Sequence, residues 1–133
     1  MTYVVDASVA VEYLLRTPLG QRAATLLDGS MLLAPELLDV EVVSVLRRAL
    51  LGGHLEARRA SMALTDLVAW PLERIRHRHL VREAWACRDN LSAYDAFYVA
   101  AARLQNAALV TADSRLGRAP RLGVIVHNIR AST

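Results

Sequence analysis

Two aspartates directly follow apolar runs. Asp6 stands in Val4-Val5-Asp6-Ala7-Ser8, and Asp113 in Leu109-Val110-Thr111-Ala112-Asp113. A carboxylate right after a buried strand lies at the rim of a sheet, although the same placement also suits an Asx turn or a helix cap. Two strands that each deliver an Asp to one sheet edge point beyond capping. Asp95 lies in Ser92-Ala93-Tyr94-Asp95. There Ser92 reads as an N-cap and Asp95 as its capping-box partner. Such a first-turn carboxylate can cap and still turn one oxygen into a pocket. Glu41 sits in a helical stretch, beside the apolar arc of Leu38, Val42, Val45 and Ala49. The positions three and four beyond it are Ser44 and Val45. It therefore lacks an arginine at helical spacing; a solvated helix-face Glu, or one reaching Arg48 two turns on, is the plain reading, and a more distant partner or a metal the functional one.

Taken as one cluster, Asp6, Glu41, Asp95 and Asp113 need a cation, because like charges raise each other's pKa. A hard divalent ion, Mg²⁺ or Mn²⁺, prefers such oxygen ligands and keeps several waters. A site of this kind hydrolyses phosphodiesters: the ion acidifies a water and offsets charge on the pentavalent transition state.

The elements that must position these acids alternate between strand and helix. Strands are expected at 3–5, 31–33, 73–76, 108–111 and 124–127. Helices are expected at 9–16, stopped by Pro18, and at 21–27, 36–51, 56–69, 80–88 and 93–105, with a short turn at 114–117. This pattern predicts one α/β domain with a mainly parallel sheet, in which sites form at the carboxyl ends of strands. Val40, Val43, Leu46 and Leu50 fill what should be the wet side of helix 36–51. That predicts contact with a second copy or a protein partner.

Composition excludes several classes. All 16 basic residues are Arg, so Schiff-base, Walker-type and Lys-assisted phosphotransfer chemistry are removed. Arginine still binds phosphate bidentately, and the net charge of +3 hints at anionic partners. The lone Cys87 rules out an intrachain disulfide and a multi-cysteine zinc site. No apolar run approaches the roughly 18 residues of a membrane span, and the start does not read as a signal peptide. A cytoplasmic protein without membrane contact is expected.

The remaining candidates read as structural. His77 and His79, in Arg74-Ile75-Arg76-His77-Arg78-His79, look like a solvated basic edge, with RNA contact as the functional alternative. Trp70, Trp85, Tyr94, Phe97 and Tyr98 look like core or interface residues. Glu12 and Arg16 have the spacing of a surface pair.

The four acidic motifs, in this order and on these elements, resemble the PIN-domain family. The segments are Val-Val-Asp6-Ala-Ser8, Glu41 in its helix, Ser92-Ala-Tyr-Asp95-Ala-Phe-Tyr-Val-Ala-Ala-Ala, and Leu-Val-Thr111-Ala-Asp113-Ser-Arg-Leu, so the likeness runs from residue 3 to about 127. The chain's size is similar to that of the toxin ribonucleases of VapBC-type toxin–antitoxin pairs. The resemblance implies a three-layer α/β/α sandwich and Mg²⁺- or Mn²⁺-dependent endoribonuclease activity on tRNA or rRNA. It carries the catalytic and metal-binding quartet onto Asp6, Glu41, Asp95 and Asp113, with Ser8 and Thr111 as supporting hydroxyls beside the Ser92 cap. Ser114 follows Asp113 where the family sometimes offers a further acid, which puts a second metal in doubt. The resemblance also implies a homodimer, a VapB-type antitoxin that covers the pocket, and promoter DNA bound only through that complex. Arg115 is assigned to the RNA backbone. The alternatives are an inactive PIN-like protein-binding module, against which the intact quartet speaks, and a housekeeping RNA-processing nuclease.

Overall fold

The computed structural model describes residues 1–118 and 122–130. In chain order the elements are β1 (Thr2–Val5), α1 (Ala7–Leu15), α2 (Pro18–Leu27), β2 (Met31–Pro35), α3 (Leu37–Leu51), α4 (Ala57–Ala69) and β3 (Glu73–Ile75). After a 3-10 turn at His77–His79 come α5 (Val81–Trp85), α6 (Ala93–Leu104), β4 (Ala108–Thr111), α7 (Ser114–Arg118) and β5 (Val126–Asn128).

The strands form one sheet in the order β3-β2-β1-β4-β5, and every pairing is parallel. All carboxyl ends therefore lie along one edge. Central β1 pairs Val5 with Val110 of β4 and Val4 with Leu33 of β2. Val4, Val5, Leu109 and Val110 are wholly buried, as continuous apolar strands covered on both faces should be. On one side α1 packs on α2, α3 and α4; α6 packs on β1, β2 and β4 and against α5. Helices thus flank the sheet in the three layers expected. The buried face of α6 is built on Ala96, Ala100, Ala101 and Ala102, small residues that let its axis approach the strands.

Several boundaries differ from the sequence reading. Pro18 does not merely stop a helix; it opens α2, where its missing N–H costs nothing, and Thr17 caps the start by accepting from Gly20 N–H at 3.0 Å. The expected helix 80–88 ends at Trp85, because the chain tightens into turns with Cys87 N–H on Ala84 and Arg88 N–H on Trp85. The last strand starts two residues later than expected and ends one later, at Val126–Asn128. Leu46 is buried, so the exposed apolar side of α3 consists of Val40, Val43, Leu50 and Leu51. The Glu12–Arg16 pair does not form. Arg16 takes the left-handed conformation that ends α1 and turns to Asp66 at 3.6 Å, while Glu12 accepts from Thr17 Oγ1 at 2.8 Å.

The α1–α2 corner depends on Gly20. A Cβ built there overlaps the Glu12 carbonyl of α1, which is backbone and cannot rotate away. Gly20→Ala is therefore expected to destabilise the fold by about 1–3 kcal/mol, read as a lower urea midpoint. An unchanged midpoint would mean that the two helices separate without cost.

Candidate functional site

Asp6 follows β1 and caps α1. Its Oδ1 accepts from Ser8 Oγ at 2.6 Å and from Val9 N–H at 3.2 Å; its Oδ2 accepts from Thr111 Oγ1 at 2.5 Å. The two hydroxyls are held in turn. Ser8 Oγ accepts from Ala112 N–H, and Thr111 Oγ1 accepts from Asp113 N–H, both at 2.9 Å. The ends of β1 and β4 are thus laced through one buried carboxylate. Burial pushes Asp6 up to about 6, against these three hydrogen bonds, which pull it down, and the charge of Asp113 adds to the rise.

The other acids occupy different surroundings. Asp113, on the loop between β4 and α7, is held below its usual range, chiefly by a two-point contact with Arg115. The Nη2 and Nε groups of Arg115 lie 2.9 and 3.2 Å from its two oxygens. Asp95 stands in the first turn of α6, whose Ser92 cap accepts from Asp95 N–H at 3.3 Å, as expected. It is raised by burial and by the charge of Asp113. Asp113 therefore acts on both Asp6 and Asp95, which brings these three carboxylates into one field.

Glu41 lies on the second turn of α3 and has the distant partner its surroundings demanded. Its Oε1 accepts from the Tyr98 hydroxyl of α6 at 2.6 Å. Burial, then the bond to Glu41 and the charges of Glu41 and Asp6, keep the Tyr98 phenol protonated far above its ordinary range. The charge of Asp6 reaching Tyr98 connects this pair to the first cluster. Sequence reasoning put Tyr98 in the core, where it is, but missed its hydroxyl. A tyrosine three residues after Asp95 on a buried helix face was the available signal.

Two further readings are corrected. His77 is not a solvated edge residue. Its Nε2 accepts from Leu37 N–H at 2.7 Å, satisfying a free donor at the start of α3, and its ring packs 5.1 Å from Phe97. Of the two places expected for the aromatic residues, core or interface, Trp85 and Tyr94 do not take the core, being 67% and 61% exposed, whereas Trp70 is buried and stacked on Tyr13.

The donors at this edge are all oxygen, and Asp113 raises both of its acidic neighbours, so a cation relieves a strain already present. No three acids or histidines among the described residues close into a cage.

A flanked sheet of five parallel strands with acids at its carboxyl edge is the architecture of a PIN domain. The PIN-domain family model matches residues 3–122, and this chain belongs to that family. Its relatives include Ribonuclease VapC1 of Mycobacterium tuberculosis, 38% identical over 133 residues, with 96% of this chain and 97% of that protein covered. The VapC ribonuclease Mb0985 of Mycobacterium bovis is 43% identical over 113 residues, covering 85% of this chain and 87% of that one. The fold matches that of VapBC2 from Rickettsia felis, solved with a DNA fragment from its promoter. The TM-score is 0.66 at 16% identity, over 96% of this chain and 98% of that one. PAE2754 from Pyrobaculum aerophilum gives a TM-score of 0.65 at 22% identity, over 95% and 83%.

Two outcomes follow from this geometry. Between the ordinary Asp value of about 3.9 and the folded value of about 6, native Asp6 holds a proton that the unfolded chain has released. Its contribution to stability is therefore complete below about pH 4 and declines as pH rises through about 6, by roughly 3 kcal/mol in the metal-free protein. Urea midpoints from pH 4 to 7.5 should show this decline in the wild type and not in Asp6→Asn; parallel curves would refute the buried, raised carboxyl. Second, Tyr98→Phe releases Glu41 Oε1 and should weaken Mn²⁺ binding about 10-fold in a calorimetric titration. Undiminished affinity would detach Glu41 from ion binding.

Proposed function

We propose that this chain is the toxin of a type II toxin–antitoxin pair, an Mg²⁺- or Mn²⁺-dependent endoribonuclease that cuts tRNA or rRNA at the acidic edge of its sheet. The observation that carries this is Asp6: a buried carboxylate fixed by three donors, within the electrostatic reach of Asp113, which also acts on Asp95. The ribonuclease names of its sequence relatives support the same reading.

The residues divide the work. Asp6 and Asp95 are the principal holders of the ion, directly or through water, and Glu41 and Asp113 complete the pocket and orient the attacking water. When bound, the ion supplies Lewis acidity toward the water and the phosphodiester. Ser8 and Thr111 keep both Asp6 oxygens in place, so the carboxylate does not have to reorganise during reaction. Tyr98 holds Glu41 in a single orientation, and Ser92 fixes the turn that carries Asp95. Arg115 is exposed and neutralises Asp113 in the free protein; with RNA present it turns an N–H edge of its guanidinium to the backbone.

The partners follow from the surface. Val40, Val43, Leu50 and Leu51 leave α3 with an apolar side larger than an isolated helix face needs, which supports a second copy or a VapB-type antitoxin. The VapBC2 complex and the FitAcB structure from Neisseria gonorrhoeae, which share the fold, support the antitoxin reading, with promoter DNA reached only through that complex. No described helix is long and apolar enough to cross a membrane.

The test is cleavage of end-labelled total tRNA and rRNA with Mn²⁺ or EDTA, comparing wild type and Asp6→Asn. Discrete fragments should require the metal, and Asp6→Asn should lower the rate by about 100-fold or more. Folded, Mn²⁺-loaded protein that leaves every RNA intact would overturn the ribonuclease assignment. Cleavage that is indifferent to EDTA would overturn the metal.

A further inference from the structure

We propose that the run from Arg76 to Trp85 is the track along which an RNA strand reaches the acidic pocket. Arg76, Arg78 and Arg82 engage phosphates, and the Trp85 indole stacks on a base. The proposal rests on the ribonuclease reading above and assigns it a substrate-binding surface.

Topology places the track beside the pocket. β3 runs parallel to β2 with Ile75 opposite Pro35, so Arg76 leaves the sheet at the same edge as Asp6 and Asp113. It leaves on the β3 side, while Arg115 follows β4 on the other side of Asp6. A strand that crosses the acids therefore meets guanidinium groups on both flanks.

The track is anchored to the elements that carry the acids. His77, near its start, accepts from the first N–H of α3, the helix of Glu41, and packs on Phe97 of α6, the helix of Asp95. Its neighbours Arg76 and Arg78 are consequently held at a fixed place relative to the pocket while their side chains stay in water.

Ion pairing separates these arginines from five others. Arg16, Arg74, Arg103, Arg115 and Arg130 each face an acid. Arg76, Arg78 and Arg82 are exposed and have no acidic partner among the described residues. Bare guanidinium forks suit phosphate, which they grip at two points. A few residues on, the Trp85 indole is two-thirds in solvent, with Arg88 5.0 Å from its ring centre. Cationic side chains interleaved with an exposed indole match the alternation of phosphate and base along a single strand. An acidic protein segment would use the arginines and leave the indole without a stacking partner, so RNA is the better fit.

The experiment uses the Asp6→Asn chain, so that RNA stays intact, and measures anisotropy of labelled tRNA and of an unstructured RNA across a salt series. Replacing Arg76, Arg78 and Arg82 together by Ala should weaken binding about 10-fold or more and lower the salt slope by about 2. A charge-matched control removes Arg47, Arg48 and Arg58 from α3 and α4 and should change affinity by less than about 3-fold. Trp85→Ala should cost about 10-fold, Trp85→Phe much less, and RNA should quench the tryptophan emission only while Trp85 is present. Thermal melts check that each variant folds. Equal losses in the two triple variants would mean diffuse attraction and overturn the track. Unchanged RNA affinity in the 76/78/82 variant, with cleavage intact in the wild type, would overturn the track alone; this is also the outcome if the surface serves an acidic protein. Absence of RNA binding in the Asp6→Asn chain together with absence of cleavage by the wild type would overturn the ribonuclease reading and the track with it.

Discussion

The buried carboxylate of Asp6 sets the terms for the rest of the structure. A charge at the end of a fully covered central strand is costly unless every oxygen is met by a donor. Here the donors come from α1 and from β4, at opposite ends of the sequence. The bonds that satisfy the charge also align the two central strands. Both supporting hydroxyls are then occupied a second time by backbone N–H groups of the β4 loop, so that loop is positioned by the same contacts. The contacts that hold Asp6 thus also join the ends of β1 and β4 and the loop that carries Asp113.

The four acids are chemically unequal because their neighbours differ. Asp6 is raised by burial, Asp113 is lowered by Arg115, and Asp95 is raised by burial and by Asp113. Glu41 is tied to a phenol that stays protonated. A set of acids with unequal proton affinities can keep some members ionised to attract a cation while another resists ionisation until the cation arrives.

Local chemistry made the strand-end acids legible. Asp6 and Asp113 each follow an apolar run, and the Ser92 cap has a recognisable spacing; these three acids lie where the sequence placed them. The alternation of strands and helices likewise predicted the parallel sheet. Contacts between distant positions were not legible. The Tyr98 hydroxyl on Glu41 spans 57 residues, and the His77 ring on Leu37 spans 40. No periodicity encodes such pairs. Arg16 illustrates a local failure: helical spacing offered it to Glu12, but it takes the left-handed conformation and points elsewhere. The exposure of Trp85 was hidden for a related reason, since composition predicts that an indole is buried but not which turn of chain will leave it uncovered.

The span between Asp6 and Thr111 also bears on how the chain is made. Their hydrogen bond closes 105 residues of sequence, and β1 pairs on that side only with β4. A ribosome adds about 5–20 residues each second, so the first strand waits several seconds for its neighbour. Until β4 leaves the exit tunnel, Asp6 lacks Thr111 and the pocket has no second wall. Nascent chains are therefore without an assembled site until β4 has emerged, and a premature stop before β4 yields a fragment that cannot build one.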